Sequence, residues 1–134
     1  MAQRTTNNPP FGWKFNGDVV DDITELYGNL PTYKKYVALI TQSGTNAPTA
    51  EVLENTLGFT PTFSYDGVGS YIIESPNSNF TVSKTVTMMT ASGASSMEIA
   101  SIDADEIFII SRDHSGTATN GLMSKMPIEI IVYD

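Results

Sequence analysis

The chain has 134 residues, no Cys, 40% hydrophobic residues and a formal net charge of −8. That length fits one domain with one core, and the lack of Cys excludes disulfides, thiolate nucleophiles and thiolate-ligated metals. Fifteen acidic against seven basic side chains repel phosphate backbones and anionic lipid, and the best candidate for a membrane span, the short Ile107-Phe108-Ile109-Ile110, falls far short of the ~20 residues needed, so neither nucleic-acid binding nor membrane insertion is expected.

The first ten residues, Met1 to Pro10, are polar and rich in Thr, Asn and Pro. They hold no apolar stretch able to act as an export signal, so synthesis in a cytoplasm is expected. They also cannot repay ordering by burial, and residues 1–17 are read as an extended arm. Phe11, Trp13 and Phe15 then place three aromatics in five residues. Such a cluster is either a plug that orders on a partner surface or a piece packed on its own domain. Between 18 and 30, Val19, Ile23 and Leu26 share one face at helical spacing, with Asp18 able to cap and Gly28 able to terminate, which predicts one short helix and a linker. Ten residues are marginal for a free helix, so that face must dock on something.

From residue 31 to 134 the pattern changes to short runs rich in Val, Ile, Tyr, Phe and Thr, separated by Gly, Pro, Asn, Asp and Ser. Strands are predicted at 35–41, 49–54, 61–65, 69–75, 84–90, 97–102, 106–111 and 127–133. Eight strands in about a hundred residues predict an all-β fold, an antiparallel β-sandwich of jelly-roll type. Asp66-Gly67-Val68-Gly69 lies between two β-rich runs and predicts a hairpin. Residues 75–79 read as a turn, 90–96 as a small-residue loop, and 112–125 as the longest loop. In the last strand Ile128, Ile130 and Val132 form one apolar face, while Glu129, Ile131 and Tyr133 form a mixed one. The mixed face suits either a subunit contact or the edge of the core.

Chemistry-bearing constellations are sparse. The single His, His114, has Asp113 and Ser115 as sequence neighbours, an arrangement that does not build a hydrolytic triad. No nucleophile elbow, phosphate loop, dinucleotide fingerprint or zinc-protease motif occurs in the sequence. Asp103, Asp105 and Glu106 could contribute to a hard-cation site, but a charged turn is the plainer account. Asn79-Phe80-Thr81 matches a glycosylation sequon by chance in a chain without an export signal. Phe63, Tyr65, Tyr71 and Phe80 could stack on sugar rings or pack within the core. The chain is therefore expected to be non-enzymatic and to carry no cofactor.

Residues 36–58 run YVALITQSGTNAPTAEVLENTLG, followed by the aromatic hairpin, by Phe80-Thr81-Val82-Ser83-Lys84-Thr85-Val86 and by Ile128-Glu129-Ile130-Ile131-Val132-Tyr133. In these blocks the chain resembles a β-rich module of tailed-bacteriophage virion-surface proteins, found in fibre, fibre-tip and decoration proteins. It departs at Phe59-Thr60-Pro61-Thr62-Phe63, where the module has a Gly-rich link into a Trp-containing strand. The resemblance implies a structural virion protein, a head-fibre, decoration or tail-fibre component located on the particle. It further implies a homotrimer, with Ile131 and Tyr133 and the helix face Val19, Ile23 and Leu26 at the subunit contact. Residues 1–30 would attach to other virion proteins of capsid or tail, with Phe11, Trp13 and Phe15 as anchors. The alternative is a receptor- or glycan-binding module that reads the host surface through exposed loops, with Asp66, Gly67, His114 and Asn120 as contacts.

Overall fold

A computed structural model describes residues 32–91 and 95–134. The expected arm and helix, and with them Phe11, Trp13, Phe15, Val19, Ile23 and Leu26, lie outside the described residues. Eight strands occur at the eight expected places, each end within two residues of its expected position. They are β1 (Tyr33–Thr41), β2 (Thr49–Asn55), β3 (Thr62–Gly67), β4 (Ser70–Glu74), β5 (Thr85–Met89), β6 (Ser96–Ile102), β7 (Glu106–Arg112) and β8 (Met126–Tyr133). Two four-stranded sheets result, ordered β2-β1-β8-β5 and β3-β4-β7-β6, with every pair antiparallel. The fold is an all-β sandwich.

Period-two patterning decides which face is inside. On β1, Tyr36, Ala38 and Ile40 are buried, and on β8 so are Met126, Ile128 and Ile130. Tyr71 and Ile73 of β4 and Ile107 and Ile109 of β7 close the same cluster from the other sheet. The four central strands thus supply most of the core. Truncating one of these isoleucines to Ala would cost about 2–5 kcal/mol through lost transfer energy and an unfilled cavity. The edge strands contribute little. Six of the seven residues of β2 are exposed, and only Ala50 packs against the core.

The chain lays down hairpin β1–β2 in the first sheet and hairpin β3–β4 in the second, then returns through two 3-10 turns, Pro76–Ser78 and Val82–Lys84, to form β5. Hairpin β6–β7 completes the second sheet. A long connection, residues 113–125, then carries the chain back so that β8 inserts between β1 and β5. Tyr33 pairs with Tyr133 at one end of the β1–β8 ladder and Ile40 with Met126 at the other. The final strand therefore joins elements ~90 residues apart, a topology whose loop-closure entropy favours late assembly of the first sheet.

Candidate functional site

The end of the sandwich where β1 stops and β8 starts holds the longest loop. Gln42, directly after β1, is 3% exposed and uses its whole side chain. Its Nε2 donates to the carbonyls of Gly44 and Asn46, both at 2.9 Å, and its Oε1 accepts from the Tyr71 hydroxyl at 2.8 Å and the Gly121 N–H at 2.7 Å. The Gln42 N–H donates to the Met123 carbonyl at 3.0 Å. Asn120 Oδ1 accepts from the Gly69 N–H at 2.7 Å, and its Nδ2 donates to the Tyr65 hydroxyl at 3.3 Å. Burial pushes the Tyr71 phenol above its ordinary pKa, which keeps it a donor to Gln42. A polar cluster satisfied this fully fixes one arrangement of the loop.

Nearer the loop tip, Asp113 Oδ1 accepts from the Ser115 N–H at 2.9 Å, the Ser115 hydroxyl at 2.6 Å and the Thr117 N–H at 3.0 Å. These donors stabilise the ionised carboxylate, led by the Ser115 hydroxyl, and hold its pKa at about 2. His114 stands exposed on the turn so formed. Across from it, the β3–β4 hairpin is drawn against the loop: the Ser111 N–H donates to the Gly69 carbonyl at 2.8 Å, and the Thr119 N–H to the Ser111 carbonyl at 3.0 Å.

Of the four loop residues singled out from the sequence, Asp66 and His114 are exposed and Gly67 is half-buried. Asp66 accepts from the Ser70 hydroxyl at 3.1 Å. Asn120 is turned inward, so its contribution to this surface is to hold the hairpin tip and the loop together. Gln42 and Tyr71 do the same work, a role with no local signal in the sequence because Tyr71 and Gly121 lie 29 and 79 residues from Gln42.

The second candidate surface is the outer face of β2-β1-β8-β5. Ile131 of β8 lies opposite Val86 of β5 and Lys35 of β1, and Tyr133 opposite Tyr33, their rings 5.6 Å apart. Val86 and Met88 are 43% and 49% exposed. Val37, Met88 and Pro127 line a shallow groove of about 310 Å³ beside them. Lys35 Nζ on this face lies 3.7 Å from a carboxylate oxygen of Glu54 and of Glu129. Ile131 and Tyr133 point away from the core, into an apolar stripe that continues onto β5.

Two other sequence expectations meet the coordinates here. Tyr71 and Phe80 are 0% and 2% exposed, core residues with no face free for a sugar ring, while Tyr65 packs edge-on against Tyr71 at 6.0 Å. Asp103, Asp105 and Glu106 form a capped turn, Asp103 Oδ1 accepting from the N–H groups of Asp105 and Glu106 at 3.0 Å each. Among the described residues no group of three His, Cys, Asp or Glu side chains is placed to share a metal ion. No family model, no curated protein and no solved structure matches the chain.

Proposed function

We propose that this chain is a structural virion protein of a tailed bacteriophage, attached to the particle through its N-terminal arm and displaying the β-sandwich outward as a homotrimeric head-fibre, decoration or tail-fibre component. The observation that carries the reading is the apolar outer face of the first sheet. Val86 and Met88 are exposed and Ile131 beside Val86 is half-buried on the outer face of an acidic body, and an apolar stripe of that kind is what self-association buries. The sequence blocks at 36–58, 80–86 and 128–133 add the likeness to phage surface modules. Mass measurement of the full chain in solution, together with localisation in purified particles, tests the proposal. A trimer found on particles supports it, and a monomer absent from particles refutes it. Deleting residues 1–17 should leave a folded body that no longer joins the particle.

A second reading, a receptor- or glycan-binding module at a fibre tip, draws on the loop end. The hairpin tip at 66–69 and the loop at 113–121 are held in one arrangement by Gln42, Tyr71 and Asn120, and rigid loops lose little entropy when they bind. Host-cell binding by the full chain that is lost on joint replacement of Asp66 and His114 by Ala would favour this reading.

A further inference from the structure

The two sheets of the sandwich divide the charge unequally. The described residues carry five cations and eleven carboxylate side chains. Four of each belong to the first sheet and the residues flanking its strands, and they balance: Lys35 lies beside Glu54 and Glu129, Lys125 beside Glu51, and Lys34 beside Asp134, whose carboxyl also feels the charge of Lys84. The second sheet and its turns hold one cation, Arg112, against the remaining seven carboxylates. Arg112 pairs with Glu98 at 3.3 Å, and among the described residues no other of the seven has an ion pair. The excess negative charge of the body therefore lies on this sheet.

Its outer face is apolar at the centre. Strands β4 and β7 turn Tyr71, Ile73, Ile107 and Ile109 inward, so the alternate residues Ile72, Phe108 and Ile110 face outward, half-buried. Ile72 lies directly opposite Phe108 in the ladder, and two positions further along, on the same face, Glu74 lies opposite Glu106. Like charges directly opposite each other weaken a ladder, and here no cation of the described residues separates them. The Ser64 hydroxyl donates to Glu74 at 2.7 Å, which orients that carboxylate without neutralising it. The described strands make two layers, so no strand covers this face.

An apolar centre beside uncompensated carboxylates narrows the choice of partner. A second copy of this face would bring the same excess of carboxylates against it, and the first sheet of a second copy has no cation to spare. Anionic lipid and nucleic acid are repelled. The carboxylates do not converge: among the described residues no three His, Cys, Asp or Glu side chains are placed to share a metal ion. A basic polypeptide complements both features, its cations meeting the carboxylates and its apolar side chains the centre.

We propose that the outer face of the second sheet docks a basic polypeptide segment, with a lysine or arginine between Glu74 and Glu106 and a neighbouring aliphatic or aromatic side chain against Ile72 and Phe108. The centre supplies the desolvated contact, and the carboxylates supply orientation and speed of encounter. This face lies on the opposite side of the sandwich from the Val86 and Ile131 stripe, so the proposal holds whether or not the chain is a trimer.

The test is amide chemical-shift titration of the full chain with the pentapeptides Lys-Ile-Lys-Phe-Lys, Lys-Ser-Lys-Ser-Lys and Glu-Ile-Glu-Phe-Glu. The first should move Ile72, Glu74, Glu106 and Phe108 saturably and bind at least about tenfold more tightly than either of the others, the discrimination expected when charge and apolar surface are both recognised. Joint Glu74→Gln and Glu106→Gln should weaken it at least about tenfold, whereas joint Glu51→Gln and Glu54→Gln, which remove as much charge from the first sheet, should leave it unchanged. Equal binding of the serine peptide would reduce the contact to charge alone, and equal binding of the glutamate peptide to apolar contact alone. Either result overturns the proposal, as does an absence of saturable shifts on this face or an equal loss in the two double variants.

Discussion

Replacing Gly69 by Ala tests whether the loop and the hairpin tip are as tightly apposed as the coordinates require. Gly69 has φ of +70°, and a Cβ built there would lie 2.6 Å from the Thr119 nitrogen, 2.7 Å from the Ser111 carbonyl oxygen and 2.9 Å from the Ala118 carbonyl carbon. All three are backbone atoms, so no side-chain rotation relieves the clash. The left-handed conformation costs an alanine about 1 kcal/mol, and forcing apart a packed contact adds about 1–3 kcal/mol. Separation would also weaken the 2.7 Å bond to Asn120 and the 2.8 Å bond from Ser111, at about 0.5–1.5 kcal/mol each. The total is about 3–7 kcal/mol, which for a body of this size lowers Tm by more than ~10 °C in calorimetry. Gly58 supplies the control. Its φ is +91° but nothing lies within 4 Å of a Cβ there, so Gly58→Ala should cost only the conformational share, about 1 kcal/mol. Equal losses for the two variants would refute the close approach.

Three further outcomes follow from single side chains. Thr87 faces inward opposite Ile130, and its hydroxyl is buried with no hydrogen-bond partner. Thr87→Val should therefore raise stability by about 1 kcal/mol in chemical denaturation, and a loss would show that the hydroxyl is satisfied. The Asp113 carboxyl is held at about 2 in the fold against an ordinary 3.8, so its stabilising share is present above pH 3.8 and disappears as pH falls through 2. A carbon-detected NMR titration should give that low midpoint, and one at 3.8 would contradict the hydrogen bonds drawn to it. Ile131→Glu places a charge in the apolar stripe next to Val86, and should turn the proposed trimer into a monomer by light scattering without altering the circular dichroism spectrum.

The strands were legible because their inward residues alternate. Tyr36, Ala38, Ile40 and Ile107, Ile109 carry the period of two, and every strand found has such a signal or a turn beside it. Where ends moved, local chemistry explains the shift. β1 begins at Tyr33 rather than Lys35 because the ladder to β8 extends past two lysines that pattern alone reads as a boundary. The Asp66-Gly67 pair suggested the turn, yet β3 runs through Gly67 and the positive φ falls on Gly69. A bulge at Asp66, between the Tyr65–Tyr71 and Gly67–Ser70 pairs, advances the register by one residue. The Gln42 cluster and the Lys34–Asp134 pair were not legible. Each is assembled from residues on separate segments, and no local period marks a residue whose role is set by partners distant in the sequence.

The polar residues at the two ends of β1 also settle how the sandwich can pair. A slip of one residue along β8 would turn Lys35 inward and Tyr36 outward, a loss that patterning alone forbids. A slip of two keeps every side chain on its face and is the error that patterning permits. Here it is opposed at both ends. Shifted one way, Lys34 would enter the core position of Tyr36. Shifted the other way, Gln42 would leave Tyr71 and Gly121, the two donors that its side-chain carbonyl satisfies. A buried ammonium or a broken buried amide cluster costs several kcal/mol, comparable to the whole stability of a domain this size. The charged opening at one end and the amide cluster at the other thus both serve the single register in which Tyr33 meets Tyr133 and Ile40 meets Met126. It is this register that sets Ile131 beside Val86 on the outer face and Lys34 beside Asp134 at the end of the ladder.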